Sequence, residues 1–199
     1  LCSQGHEVWS LNLRGQGGAR RHAGPRRAFG LSEMARIDLP RAVDAVLHGS
    51  TAKGAAVDVI GASLGGSLVF IHAATDQRNK LGRVIAMGSP LTWVRTHPLL
   101  GLAQEWPELW KVLRFPQTRR LAGIALPWLQ RIPSLLRIYM NPETIDMSQA
   151  AKMIPTVEDP IPELNYEIVC WLRSRTLSID GVDIAEGWRR SKLPFLCIV

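Results

Sequence analysis

Short apolar runs alternate with helix-spaced apolar positions over residues 1–90. "LCSQG" at the start reads as the last turn of a helix closed by Gly5. "EVWSLNL", residues 7–13, reads as a buried strand, followed by a Gly/Arg-rich loop. Asp38 is placed to cap a helix whose second position is Pro40. Leu39, Ala42, Val43, Val46 and Leu47 share one face of that helix and Gly49 closes it. "AAVDVI", residues 55–60, predicts a second strand, and Leu64, Leu68 and Ile71 mark a helix running on from Ser63. "RVIAMGSP", residues 83–90, predicts a third strand.

Strands and helices alternating at this spacing imply an α/β fold with a parallel sheet and right-handed crossovers. The pattern changes at residue 91. Residues 91–187 are rich in Trp, Pro, Leu and Arg, with apolar helical stretches broken by Pro98, Pro107, Pro116, Pro127, Pro133 and Pro142. This stretch reads as a helical insertion. "KLPFLCIV", residues 192–199, returns to a strand-like run, so residues 188–199 are assigned back to the core that residues 1–90 begin. The chain reads as cut at both ends, because Leu1 is not a start methionine and no polar loop follows the last strand.

With 199 residues, 46% hydrophobic and 21% charged, the composition is that of a globular domain with one sizeable core. The net charge of +7 raises the question of an anionic partner. Its densest part, "RGQGGARRHAGPRR" at residues 14–27, holds no aromatic residue for stacking on bases, so a surface loop is expected and no nucleic-acid partner. Cys2, Cys170 and Cys197 are scattered without a C-x-x-C pair, which suits a reduced, cytoplasmic protein. The most apolar stretch, residues 59–74, carries Ser63, Ser67 and His72 and is shorter than the roughly 20 residues a membrane span needs. Gly15, Gly17 and Gly18 form no nucleotide-binding loop, and no ligand-spaced His/Cys cluster stands out, so neither a cofactor nor a metal is expected.

Candidate chemistry centres on "DVIGASLGGSLVF", residues 58–70. Ser63 lies between Gly61 and Gly65, after a strand and before a helix, as in a G-x-S-x-G turn that lifts a serine hydroxyl above a sheet. The sharp turn is expected to need glycine at both 61 and 65 for steric reasons. The backbone N–H of Leu64, at the positive end of the following helix, is the candidate donor to a developing oxyanion.

The chain here resembles the α/β-hydrolase family. "GHEVWSLNLRGQG" is similar to the family's strand and R-G-x-G loop, "DLPRAVDAVL" to the helix that follows, "VIGASLGG" to the nucleophile elbow and "VIAMGSP" to the next strand. Residues 91–187 then correspond to the variable helical cap, and "LPFLCIV" to the strand before the catalytic acid. The loop departs from the family's usual form at Asn12, Gln16 and Ala19.

The resemblance implies a serine hydrolase that cleaves a carboxylic ester through an acyl-enzyme on Ser63. Its order of residues, Ser then acid then His, puts the acid and the His beyond Val199, and the H-G loop with the first oxyanion donor before Leu1. Of His6, His22, His48, His72 and His97, only His97 follows the elbow at some distance. It stands at the cap entrance, where a surface or cap-lining role is expected rather than that of the base. The 199 residues alone are therefore expected to turn over slowly or not at all. The alternatives are acyl transfer related to polyhydroxyalkanoate synthases, whose nucleophile is cysteine, and a non-catalytic binding protein on the same fold.

Between residues 95 and 137 the basic residues Arg95, Lys111, Arg114, Arg119, Arg120, Arg131 and Arg137 face only Glu105 and Glu108, with Trp93, Trp106, Trp110, Phe115 and Trp128 interleaved. Such a lid suits a small-molecule acyl ester or contact with an anionic lipid surface. The plainer reading, a helical subdomain whose tryptophans pack on the core, is favoured.

Overall fold

The computed structural model describes residues 1–16, 19, 28–52, 54–94, 101, 104–113, 117–129, 132, 143–144, 146, 149, 152, 154 and 159–198. Its centre is a parallel sheet of three strands in the order β1 (Val57–Ala62), β2 (Leu81–Met87), β5 (Phe195–Ile198). Val59 pairs with Val84, Gly61 with Ala86, and Val84 in turn with Phe195. The three strands expected from the apolar runs at 55–60, 83–90 and 192–199 are thus present within two or three residues of their expected bounds.

The helix α3 (Leu64–Thr75) makes the crossover from β1 to β2. Its residues Gly66 to Ala74 are all buried. A helix buried along most of its length has neighbours on several sides, and α3 packs on the sheet, on α2 (Leu39–Gly49) with the helical turn before it, and on α7 (Ile184–Arg190). Contact with α7 is close: Phe70 and Trp188 have ring centroids 4.7 Å apart, and a Cβ on Gly187 would stand 2.8 Å from that of Ala74. The other face of the sheet is open among the described residues. Ile60, Leu196 and Ile198 are 52%, 55% and 46% exposed, while Val84 and Ala86 on the α3 side are buried.

The helical run ahead of β1 starts earlier than the sequence indicates. It opens with α1 (Leu31–Glu33), continues through a π-helical turn at Met34–Asp38 and passes into α2 without a break. Asp38 is therefore no N-cap; it has helical dihedrals and makes no capping hydrogen bond. Its carboxylate is taken instead by the Arg14 guanidinium, which donates from Nε at 2.7 Å and Nη2 at 2.5 Å. The wide turn sits immediately before Pro40, whose ring would clash with a carbonyl four residues back in a regular helix.

Residues 7–13 form no strand, contrary to the sequence reading. Val8, Trp9 and Leu11 are about half exposed. Side-chain contacts hold the segment beside the end of α2: the Glu7 carboxylate accepts from Ser50 Oγ at 2.9 Å, Thr51 N–H at 3.0 Å and Thr51 Oγ1 at 2.8 Å. These donors, the Thr51 hydroxyl first, pull the Glu7 pKa down to about 2. Trp9 lies over Gly49, where a Cβ would stand 2.9 Å from the indole. At the start of the chain, the expected closing turn is a short 3-10 turn, Cys2–Gln4, capped by Gly5 at φ 82°.

Beyond β2, α4 (Leu109–Val112) and α5 (Thr118–Leu129) lead to α6 (Pro162–Ser174). From Ile161 onward the chain shares the central core: Ile161, Leu164, Trp171, Leu177, Ile179, Ile184 and Trp188 join the same cluster as Leu68, Ile71 and Val84. Glu167 on α6 accepts from Leu31 N–H at 2.5 Å, in space that a side chain on Gly30 would occupy. Burial, with Glu33 nearby, raises its pKa. A hairpin of β3 (Ser178–Ile179) and β4 (Val182–Asp183) turns at Asp180 and Gly181, with φ 49° and 78°. Asp-Gly with both φ positive is the favoured two-residue hairpin loop. Asp183 then caps α7, accepting from Glu186 N–H at 2.9 Å.

Two outcomes are expected in denaturant unfolding. Ile71→Ala, at a fully buried site, should cost about 2–5 kcal/mol, whereas Ile60→Ala on the open face should cost less than about 1 kcal/mol. His72 on α3 is 2% exposed, its Nδ1 lacks a partner among the described residues, and burial lowers its pKa despite the opposing charge of Asp76. The fold keeps this imidazole neutral while the unfolded chain takes up a proton near about pH 6.5. Stability is therefore complete above that pH and falls as pH drops below it, and His72→Phe should flatten the difference between about pH 7 and about pH 5.

Candidate active site

Ser63 joins β1 to α3 with φ 50° and ψ −124°. A positive φ is rare for a residue with a Cβ and is kept only where the surroundings over-determine it. Here three hydrogen bonds do so. Ser63 N–H donates to the Met87 carbonyl at 2.8 Å, and the Ser63 carbonyl accepts from Gly66 N–H at 3.1 Å and Ser67 N–H at 3.3 Å. The serine is exposed at the carboxyl end of the sheet. Leu64 is the first residue of α3, so its N–H has no intrahelical acceptor and stands at the positive end of the helix.

The glycines divide the steric work differently from the sequence reading. A Cβ on Gly61 would lie 2.5 Å from Gly66 Cα and 2.6 Å from Gly66 N, so glycine at 61 is required. A Cβ on Gly65 would meet nothing within 4 Å among the described residues, so the expected clash at 65 is absent. The second steric requirement falls on Gly66, where a Cβ would coincide with the Ser89 side chain and come 3.0 Å from the Gly61 carbonyl. Strand β1 and helix α3 thus touch backbone to backbone across Gly61 and Gly66. The doubled glycine in "SLGGS" was the available signal.

Two more serines, both missed by the motif, brace the turn. Ser67 Oγ donates to the Pro90 carbonyl at 2.6 Å, tying the first turns of α3 to the segment after β2. Ser89 Oγ lies 3.1 Å from the Met87 carbonyl and 3.3 Å from that of Gly61. Gly88, at φ 54°, donates its N–H to the Ile198 carbonyl at 2.7 Å. The carboxyl ends of β1, β2 and β5 are linked through these contacts.

The loop that resembles R-G-x-G folds close to α1. Arg14 pairs with Asp38 and its guanidinium lies 5.6 Å from the Phe29 ring centroid; Gly15, at φ 75°, leaves the space into which that ring reaches. Among the described histidines, His6 is exposed near the chain start, and His48 on α2 is 2.6 Å from the Asp44 carbonyl through Nδ1. His72 lies roughly 12 Å along the axis of α3 from its first residue. None of these three is brought to Ser63. His22 and His97 lie outside the described residues.

Three substitutions test the turn by denaturant unfolding. Gly66→Ala should destabilise by about 1–3 kcal/mol, Gly65→Ala by much less, and Ser89→Gly should partly relieve the first. Ser63→Gly should raise stability by about 1 kcal/mol or more, because glycine adopts this backbone without strain. An unchanged stability in Ser63→Gly would show that the turn holds no strain.

A comparison with curated proteins finds no match to the chain. The family model for the alpha/beta hydrolase fold matches residues 1–127. That span carries the first two strands of the sheet, the Ser63 turn and α3. With its parallel sheet and flanking helices, the chain belongs to the alpha/beta hydrolase fold family.

Proposed function

We propose that Ser63 is the nucleophile of a serine hydrolase acting on carboxylic esters. The observation that carries this reading is the backbone of Ser63 itself, a serine held at φ 50° and exposed at the strand-to-helix turn. Strain of this kind at an exposed hydroxyl is costly for a residue that only caps a helix, and Ser63 makes no side-chain capping bond.

In the proposed reaction Ser63 Oγ attacks the ester carbonyl carbon as its proton passes to a general base. The Leu64 N–H helps to hold the oxygen that gains negative charge. Collapse of the tetrahedral adduct breaks the bond to the alcohol, which leaves with the proton from the base, and an acyl-Ser63 ester remains. Water, deprotonated by the same base, then releases the carboxylic acid and restores the hydroxyl. This reading requires a histidine as base and a carboxylate to orient it, in the chain order Ser, acid, His that the family resemblance implies. The substrate class is a small hydrophobic acyl ester, in keeping with the apolar and aromatic residues of the inserted stretch.

The test is made on the complete gene product with a fluorophosphonate probe and p-nitrophenyl acyl esters. Covalent labelling should map to the peptide holding Ser63, and Ser63→Ala should lower kcat/KM by about a thousandfold or more while leaving the unfolding midpoint nearly unchanged. Ester cleavage that survives Ser63→Ala, or the lack of any labelling at Ser63, would sink the proposal and favour a binding protein built on this fold.

A further inference from the structure

Among the described side chains of helix α5, three of the four large apolar ones are turned away from the protein. Its large residues Leu121, Ile124 and Trp128 are 53%, 61% and 67% exposed. At spacings of three and four residues they fall on one face. Among the described half-buried apolar positions, Ala122, Gly123 and Ala125 are small and Leu126 is large, and a Cβ on Gly123 would stand 3.9 Å from Ile154. A helix packed for stability alone would turn its larger apolar residues inward. In the flanking segments Trp106, Val112 and Ile132 are 64%, 74% and 48% exposed, so the tryptophans at 106 and 128 do not pack on the core as the plainer reading of this stretch expected. Trp93 does, meeting Trp171 of α6 at 5.4 Å between ring centroids.

Charge identifies what such a face fits. From residue 109 to residue 142 the sequence has no Asp or Glu, but holds Lys111, Arg114, Arg119, Arg120, Arg131 and Arg137. Arg119 and Arg120 stand in the first turn of α5, and the exposed Arg120 donates to the neutral Gln117, at 3.4 Å. At the start of the helix Asp159 accepts from Thr118 N–H at 2.7 Å. Lys111 is paired with Glu108. A second copy would bring a like-charged surface against this one, since the chain carries a net charge of +7. Leucine and isoleucine on the stripe do not suit a nucleic acid.

We infer that α5 is an interfacial helix, which lays Leu121, Ile124 and Trp128 into the surface of an anionic lipid bilayer while the exposed Arg120 meets the headgroup phosphates. No helix among the described residues is long and apolar enough to cross a membrane, so this contact lies in the plane of the surface. Tryptophan at the headgroup level and a polybasic flank are the two elements such binding uses. The inference goes beyond ester hydrolysis and does not depend on Ser63.

The experiment is co-sedimentation of the complete protein with vesicles of phosphatidylglycerol and phosphatidylcholine, against vesicles of phosphatidylcholine alone. Binding is expected only with phosphatidylglycerol, weakening as salt is raised. Ile124→Asp and Leu121→Ser should each lower the partition coefficient about tenfold, and Arg120→Glu should lower it while reducing its salt dependence. These sites are solvent-exposed, so unfolding midpoints should stay unchanged and separate lost binding from lost fold. No partition onto phosphatidylglycerol vesicles, or equal partition by Ile124→Asp, overturns the inference. So does a vesicle-free dimer in sedimentation velocity that Ile124→Asp dissolves, which would assign the stripe to self-association.

Discussion

Everything at the carboxyl end of the sheet depends on how closely β1 can approach the first turn of α3. The backbones meet across Gly61 and Gly66 with no room for a methyl group on either. That contact fixes where the chain must reverse, and Ser63 takes up the reversal with a backbone that three hydrogen bonds help to sustain. Once the turn is set, α3 has one path across the sheet. Its predominantly apolar surface then draws α2 and α7 around it. Stability and the candidate chemistry therefore share a cause: the buried helix anchors the strained residue that its own first turn exposes.

What was legible in the sequence follows from this. The Ser63 turn could be read because its determinants are local: an apolar run, a glycine two residues before the serine and a predominantly apolar helix after it. Helix α3 was marked by Leu64, Leu68 and Ile71 at helical spacing, although burial of every residue from Gly66 to Ala74 means that this spacing did not say which face met the sheet. The strands β2 and β5 were visible as apolar runs.

The misreadings come from contacts distant in sequence. Asp38 has the chemistry of a cap, but Arg14, 24 residues earlier, takes its carboxylate and the helix runs through it. "EVWSLNL" has the composition of a buried strand, yet Glu7 is held by Ser50 and Thr51, and composition cannot say where a segment's partner lies. At the elbow, the motif names Gly65, while the space is actually demanded at Gly66 because Ser89 comes back from β2 to touch it. In the inserted stretch, counting tryptophans could not tell inward from outward, and the structure divides them, Trp93 in and Trp106 and Trp128 out.

The sheet's open side has a consequence for handling the protein. Among the described residues β1 and β5 are edge strands, and β5 carries Phe195, Leu196 and Ile198 at 57%, 55% and 46% exposure. A strand edge with unpaired amides beside apolar side chains is a template on which another chain can add. In a preparation of residues 1–199 alone, strand addition between molecules would compete with refolding, more strongly at higher concentration. Recovery after dilution from denaturant would then be governed by protein concentration as much as by the intrinsic stability of the core.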